Sequence, residues 1–435
     1  MRLNLSGRFS KLLPLLAILL VIGLAVYFIC GNRAELVKLP SDDLPSLEYD
    51  SSETDPDLLV PGVYKLLEDT LQLDVEIKAE SGDDESIEVQ NLLLAWRKLP
   101  DLEFDYDIEE QDLVAREIFA LDQLYLGQAL VESGRGKQFK KWQDSFEKAF
   151  GDDESGLHAS SLIKDIDGFY RRDNANWITT QGYLRVLLQA YMLKPSSDLE
   201  NSISVLSDTL LPIFKAGPPP HTAGLGPNLQ HPLISTMEGY LLPPDQEEVP
   251  LIALENIDFW LLRQLGAFNP EWEDIYKTWH NRIEDYQYEI GMPFPPEGWN
   301  TTDDTAMPLI SSDFQVDTRR LLKTSLHLAE IRVSNDDFIA FILDEISNGP
   351  LALSYHLLNG SGNDYTANPA LVAWAGRLGR AVDNRSLFEV AMRQLQRNYI
   401  SDQASQFFGG YARRDQDNRL TIYALDQVLA ILAMQ

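Results

Sequence analysis

Segments of helical hydrophobic period begin six times along this chain, at intervals of roughly 50 to 70 residues, and that recurrence restricts the fold more than any other feature. The starts lie near 112 (DLVAREIFALDQLYLGQALVES), 177 (WITTQGYLRVLLQAYML), 247 (EEVPLIALENIDFWLLRQL), 313 (DFQVDTRRLLKTSLHLAEI), 366 (TANPALVAWAGRLGRAV) and 421 (TIYALDQVLAILA). Such an interval holds a helix, a turn, a second helix and a loop. Partner helices are expected near 137, 198, 271, 335 and 384. Several follow Ser, Asn or Asp at a break, as in KPSSDLENSISVL, FNPEWEDIYKTW and VSNDDFIAFI. The expected fold is therefore all-α: an (α/α)6 barrel over 111–435, six hairpins closed into an inner and an outer layer. An open helical array is the competitor, but the repeats share no signature of the tetratricopeptide or ankyrin kind.

A hydrophobic fraction of 44% with 10% aromatics is enough for one large core in 435 residues. Charge excludes one class of partner. Lys plus Arg number 36 against 67 Asp plus Glu, and a net charge of -31 repels a nucleic-acid backbone. Ahead of the periodic region, LLPLLAILLVIGLAVYFIC (12–30) is uncharged and about as long as a membrane-crossing helix. FICGNRAE offers no small-x-small cleavage site, and YFIC lacks the small residues expected before a lipidated cysteine, so an uncleaved transmembrane anchor is expected. Arg2, Arg8 and Lys11 precede it, which keeps residues 1–11 cytoplasmic and the main domain periplasmic or extracellular. The sole cysteine, Cys30, ends that run, so the exported part has no disulfide. Residues 31–57 are acidic and proline-punctuated and read as an extended tether. Residues 58–110 read as a small adaptor, with a short helix at VYKLLEDTLQL and strands at LDVEIKAE and IEVQNLLLAW.

The two longest loops, KAGPPPHTAGLGPNLQHPLISTMEGYLLPP (215–244) and IGMPFPPEGWNTTDDTAMPLISS (290–312), would gather at one mouth of the ring and wall a groove. No cofactor is expected. The six histidines have no metal-ligand spacing, DIDGFY and DQDN do not complete a calcium loop, and no Walker loop, dinucleotide fingerprint or serine elbow occurs.

The stretch SSDFQVDTRRLL (311–322) concentrates charge at the head of an apolar helix. On a helical wheel Asp317 borders the stripe Phe314, Leu321, Ser325 and Leu328. It reads either as a charged helix edge with Asp313 and Arg320 behind a capping box of Ser312 and Gln315, or as a carboxylate facing a groove.

GLGPNLQHP (224–232), VDTRRLL (316–322), YTANPALVAW (365–374) and NYISDQASQFFGGYARRDQDNRL (398–420), taken in order, resemble glycoside hydrolase family 8 over about residues 112–435. The likeness is greatest to the periplasmic endoglucanases that accompany bacterial cellulose synthase. The resemblance implies an inverting attack by water, with Asp317 as general base and Arg320 as its orienting arginine. It puts Ala120 where the family has its acidic glutamate, which leaves Glu117 or Asp122 as the acid. Where the family has two aspartates, this chain has Trp177 to Thr180, with Asp173 just upstream. The implied substrate is a β-linked polysaccharide, handled within exopolysaccharide synthesis and export, whose synthesis proteins would be partners. Trp177, Tyr240, Trp299, Tyr365 and Tyr411 could stack on sugar rings or pack between hairpins. A second reading keeps ring and groove without catalysis, as a polysaccharide-binding or scaffolding subunit. The unfilled acidic positions favour that reading, and the Asp-x-x-Arg motif favours the first.

Overall fold

Helix starts in this chain are written largely by Asn and Asp. In the computed structural model the side chains of Asn176, Asp258, Asp317, Asn335, Asn368 and Asn384 each accept from a backbone N–H three residues on, which satisfies an otherwise orphaned donor of the first turn. The structure describes residues 36–40, 44, 56–78, 86–99, 112–152, 154–216, 251–284, 292–300, 304–307, 314–415 and 419–435. The apolar run 12–30, the GLGP loop and Tyr240 lie outside them. Among the described residues no helix is long and apolar enough to cross a membrane.

Twelve α-helices occur among the described residues: α1 (Pro56–Leu66), α2 (Ala120–Glu132), α3 (Gly136–Phe150), α4 (Trp177–Leu193), α5 (Ser197–Ala216), α6 (Phe259–Leu265), α7 (Glu271–Glu284), α8 (Thr318–Glu330), α9 (Asp336–Asn348), α10 (Pro369–Ala381), α11 (Arg385–Arg397) and α12 (Ala424–Met434). Two layers follow from their burial. Every residue of α12 is buried, as is most of α2, α4, α8 and α10, so these helices are enclosed on all sides. In α11 only the stripe Leu387, Phe388, Ala391, Met392 and Leu395 is buried, the pattern of a helix with one face to water. The inner helices α2, α4, α6, α8, α10 and α12 each touch the next, and α12 touches α2, which closes the ring. Outer helices α3, α5, α7 and α11 pack on the inner helix before them, and α9 lies against α11.

Three inner helices end alike. Arg135, Val333 and Asn384 donate backwards to Leu130, Leu328 and Gly379, with Gly134, Arg332 and Asp383 at positive φ, a cap that turns the chain sharply into the outer layer.

The outer-helix starts match the expected ones to within a residue. Among the inner starts, 177 matches, and the others fall short of the observed ones, several because a short strand comes first: Glu117–Phe119 before α2, Gln315–Asp317 before α8 and Leu420–Tyr423 before α12. Residues 315–317 pair antiparallel with Ser354–His356, so α8 starts at Thr318, capped by Asp317 itself and not by Ser312 and Gln315.

The stretch read as an adaptor packs into the ring. Helix α1 lies on α12 and supplies its outer partner. Strands Gln72–Lys78 and Ser86–Leu93 join a five-stranded sheet with Glu117–Phe119, and Trp96–Lys98 pairs with Leu420–Tyr423. The sequence Ala-Leu-Asp-Gln opens both α2 and α12, and each Gln clasps a backbone. Gln123 pairs with both backbone groups of Leu93, and Gln427 with both of Tyr411. Side chains from Leu59 to Met434 form one continuous hydrophobic core.

Candidate active site at the mouth of the ring

All inner helices run the same way, so their N-termini share one end of the ring. Asp317 stands there, at the junction of a strand and α8. Its Oδ1 accepts from the Arg320 N–H at 3.2 Å. In the three-stranded sheet of 315–317, 354–356 and 362–363, Asp317 sits opposite Ser354, which sits opposite Asn363. Side chains alternate along a strand, so Val316 and Tyr355 point into the core while Gln315, Asp317, Ser354, His356 and Asn363 form a polar outer face. The Asp317 side chain is 23% exposed.

The arginine that faces Asp317 is Arg319, with Nε at 3.8 Å from Oδ1. The expected partner, Arg320, turns its side chain inward and donates Nε to Glu255 Oε1 at 3.1 Å. Adjacent residues on a helix point about 100° apart, so only one of the two can look towards the cap. Arg319 also donates Nη2 to Glu255 Oε1 at 3.2 Å. One buried carboxylate thus braces two guanidiniums. Burial works against the charge of Arg319, but Glu255 and Asp317 outweigh it and raise its pKa, while burial pushes Arg320 down to about 10.

Below this layer the axis of the ring stays polar. Arg185 of α4 donates to Asp258 at 2.7 Å and to both oxygens of Glu330, at 2.9 and 2.5 Å. Lys323 and His327 continue the Arg319 face of α8 at four-residue steps. Burial lowers the Lys323 pKa and takes His327 down to about 3. Neutral His327 donates Nδ1–H to the Ile257 carbonyl at 3.0 Å. None of Glu255, Arg319 and Arg185 is among the residues expected from the sequence. A lone arginine inside the apolar run of α4 was the available signal.

Of the candidate acids, Asp122 is fully enclosed in the first turn of α2. Glu117 is partly exposed on the strand before α2, paired with Ile163. Asp122 belongs to the first inner helix, Glu117 to the strand before it, where buried Tyr170 feels its charge, and Asp317 stands at the head of the fourth. Burial raises the pKa of Tyr125, one turn into α2, against the charges of Arg377, Arg185 and Arg319.

The aromatic candidates divide. Tyr365 is 50% exposed, two residues past Asn363 on the Asp317 rim. Trp177, Trp299 and Tyr411 present no open face. Trp177 packs edge-on to Phe214, Trp299 lies between Trp279 and Arg282 and donates to Asp304, and Tyr411 packs against Tyr399 beneath the Gln427 clasp. Each fills a space between elements, which sequence context alone does not distinguish from a rim position. Phe314, placed by helical period in the buried stripe, is instead 48% exposed at φ 57°, tilted over His356 at 6.1 Å.

No family model and no curated protein matches this chain. Solved structures do. A novel alpha-amylase from Clostridium perfringens superimposes with a TM-score of 0.62 at 15% identity, covering 89% of this chain and 99% of that one. A cold-adapted family 8 xylanase gives 0.57 at 12% identity over 93% and 96% of the two chains. A catalytic mutant of a family 8 xylanase from Teredinibacter turnerae, in complex with xylohexaose, gives 0.52 at 12% identity over 88% and 93%. The chain has a divergent fold like that of glycoside hydrolase family 8.

Proposed function

We propose that this chain is a glycoside hydrolase-like protein that takes a β-linked polysaccharide across the mouth of the ring, with Asp317 as general base and Arg319 holding its carboxylate. The observation that carries this reading is the placement of Asp317. It is the partly exposed acid on a polar face at the head of an inner helix, beside an arginine that Glu255 braces from below. Inverting hydrolysis needs a second carboxyl group about 6.5–9.5 Å from the base, on the other side of the scissile bond. Glu117, partly exposed on the strand before the first inner helix, takes that role in this reading. The fold likeness to xylanases supports a β-linked chain as substrate. Residues 12–30 would hold the domain at the outer side of a membrane, where an exopolysaccharide is made and exported.

One observation favours a non-catalytic second reading. Asp122 is 0% exposed and cannot touch a sugar, so the acid rests on Glu117 alone. A polysaccharide-binding subunit needs no acid. Residues 32–435 should release reducing ends from at least one of a panel of xylan, mixed-linkage glucan and cellulose oligosaccharides, and Asp317→Asn should abolish release while leaving binding intact. Binding across the panel without cleavage would overturn the enzymatic reading in favour of the second.

A further inference from the structure

The residues just past the apolar run do not stand off the ring. The Val37 carbonyl accepts a hydrogen bond from the Tyr191 hydroxyl at 2.8 Å, and Leu39 and Leu44 pack on the main core. Tyr191 is 1% exposed and lies in the last turn of α4. Its ring meets Phe268, just past the end of α6, edge-on at 5.9 Å. The same hydroxyl is 3.4 Å from Glu200 in the first turn of α5. Tyr191 and Phe268 mark the C-terminal ends of two inner helices and Glu200 the start of the outer helix that follows one of them, so Val37 is fixed to the base of the ring, opposite Asp317.

Chain length then restricts orientation. Residues 31–35 alone separate the end of the apolar run from the described segment that begins at Leu36. Fully extended, such a link spans about 20 Å. Helix α4, with 17 residues, is itself about 25 Å long. A ring tied at its base by so short a link cannot turn over to bring its mouth to the bilayer.

We propose that the base of the ring faces the lipid surface and that its mouth faces away, so that a polysaccharide is met on the side remote from the membrane. The proposal rests on reading residues 12–30 as a membrane anchor. The surface facing the lipid is the end of the ring that carries Leu193, 66% exposed, and Lys194.

The test uses the full chain with Cys30→Ser, reconstituted into phosphatidylcholine vesicles. Lys194→Cys marks the base and Asn363→Cys the mouth, each carrying a fluorophore, and the outer leaflet carries a headgroup quencher. Both positions are exposed, so labelling leaves the core intact. Flotation with the vesicles and loss of fluorescence at 194 but not at 363 is the expected result. Protein that floats but is quenched at 363 as much as at 194 would overturn the orientation and leave the anchor standing. Protein that does not float would remove the anchor reading, and the orientation with it.

Discussion

Asp317 has two tasks that one substitution can separate. As N-cap of α8 it satisfies the Arg320 N–H, and as the acid at the mouth it faces Arg319. Asn caps a helix about as well as Asp. Asp317→Asn is therefore expected to leave unfolding free energy within about 0.5 kcal/mol of the parent, so a loss of hydrolysis reads as loss of the carboxylate and not of the fold. A second prediction concerns His327, faced by Asp258, Arg185 and Lys323 and held neutral by burial, its pKa near 3. Its unfolded value is about 6.5, so the unfolded chain binds the proton first as pH falls. Stability on this account is complete above about 6.5 and is lost progressively towards 3. His327→Asn retains a donor for the Ile257 carbonyl but does not titrate. Between pH 7 and pH 5 the parent should lose about 2 kcal/mol more than the variant in urea unfolding. Equal losses would place the acid sensitivity elsewhere. Although the helical stripe drawn through Phe314 does not hold, since residues 315–317 form a strand, the sequence at this scale made Asp317 legible as a charged residue at the head of an apolar helix. The choice between Arg319 and Arg320 was not, since it turns on where α8 begins, and strand pairing sets that start.

Outer helices were legible where a polar residue breaks the chain, whereas the caps Asp258 and Asp317 of inner helices were not read as such. The outer helices α5, α7, α9 and α11 begin where Ser, Asn or Pro breaks the chain, and the sequence alone places them. The strands before the inner helices escaped, because three-residue ladders draw their stability from partners far away in sequence. Glycine marks the closest approach between layers. A methyl group added at Gly379 of α10 would stand 2.8 Å from the backbone nitrogen of Phe388 in α11 and 3.2 Å from the Asn384 carbonyl. Backbone cannot step aside as a side chain can. Gly379→Ala should cost about 1–3 kcal/mol of unfolding free energy without altering helix content, as read by urea titration and circular dichroism.

For the whole molecule, closure of the ring depends on residues that precede it. Helix α12 is buried on every side, and α1 covers part of it, while the strand Trp96–Lys98 ties down the strand before it. Residues 56–435 should purify as a soluble monomer, whereas residues 111–435 should aggregate on expression, because α12 would be left with an uncovered apolar face. Soluble, cooperatively folding 111–435 would show that the N-terminal segment is dispensable.

The sequence by itself determined where five outer helices begin and that an acid stands at the head of the fourth inner helix, because capping residues act over a few neighbours; the sixth outer helix, α1, comes from ahead of the periodic region. Only the tertiary structure decided what lies between those elements. It enclosed Asp122, Trp177, Trp299 and Tyr411, exposed Phe314, turned Arg320 to Glu255 and made residues 56–78 and 86–99 part of the ring. Those outcomes depend on contacts between residues tens to hundreds of positions apart, and local pattern carries no record of them.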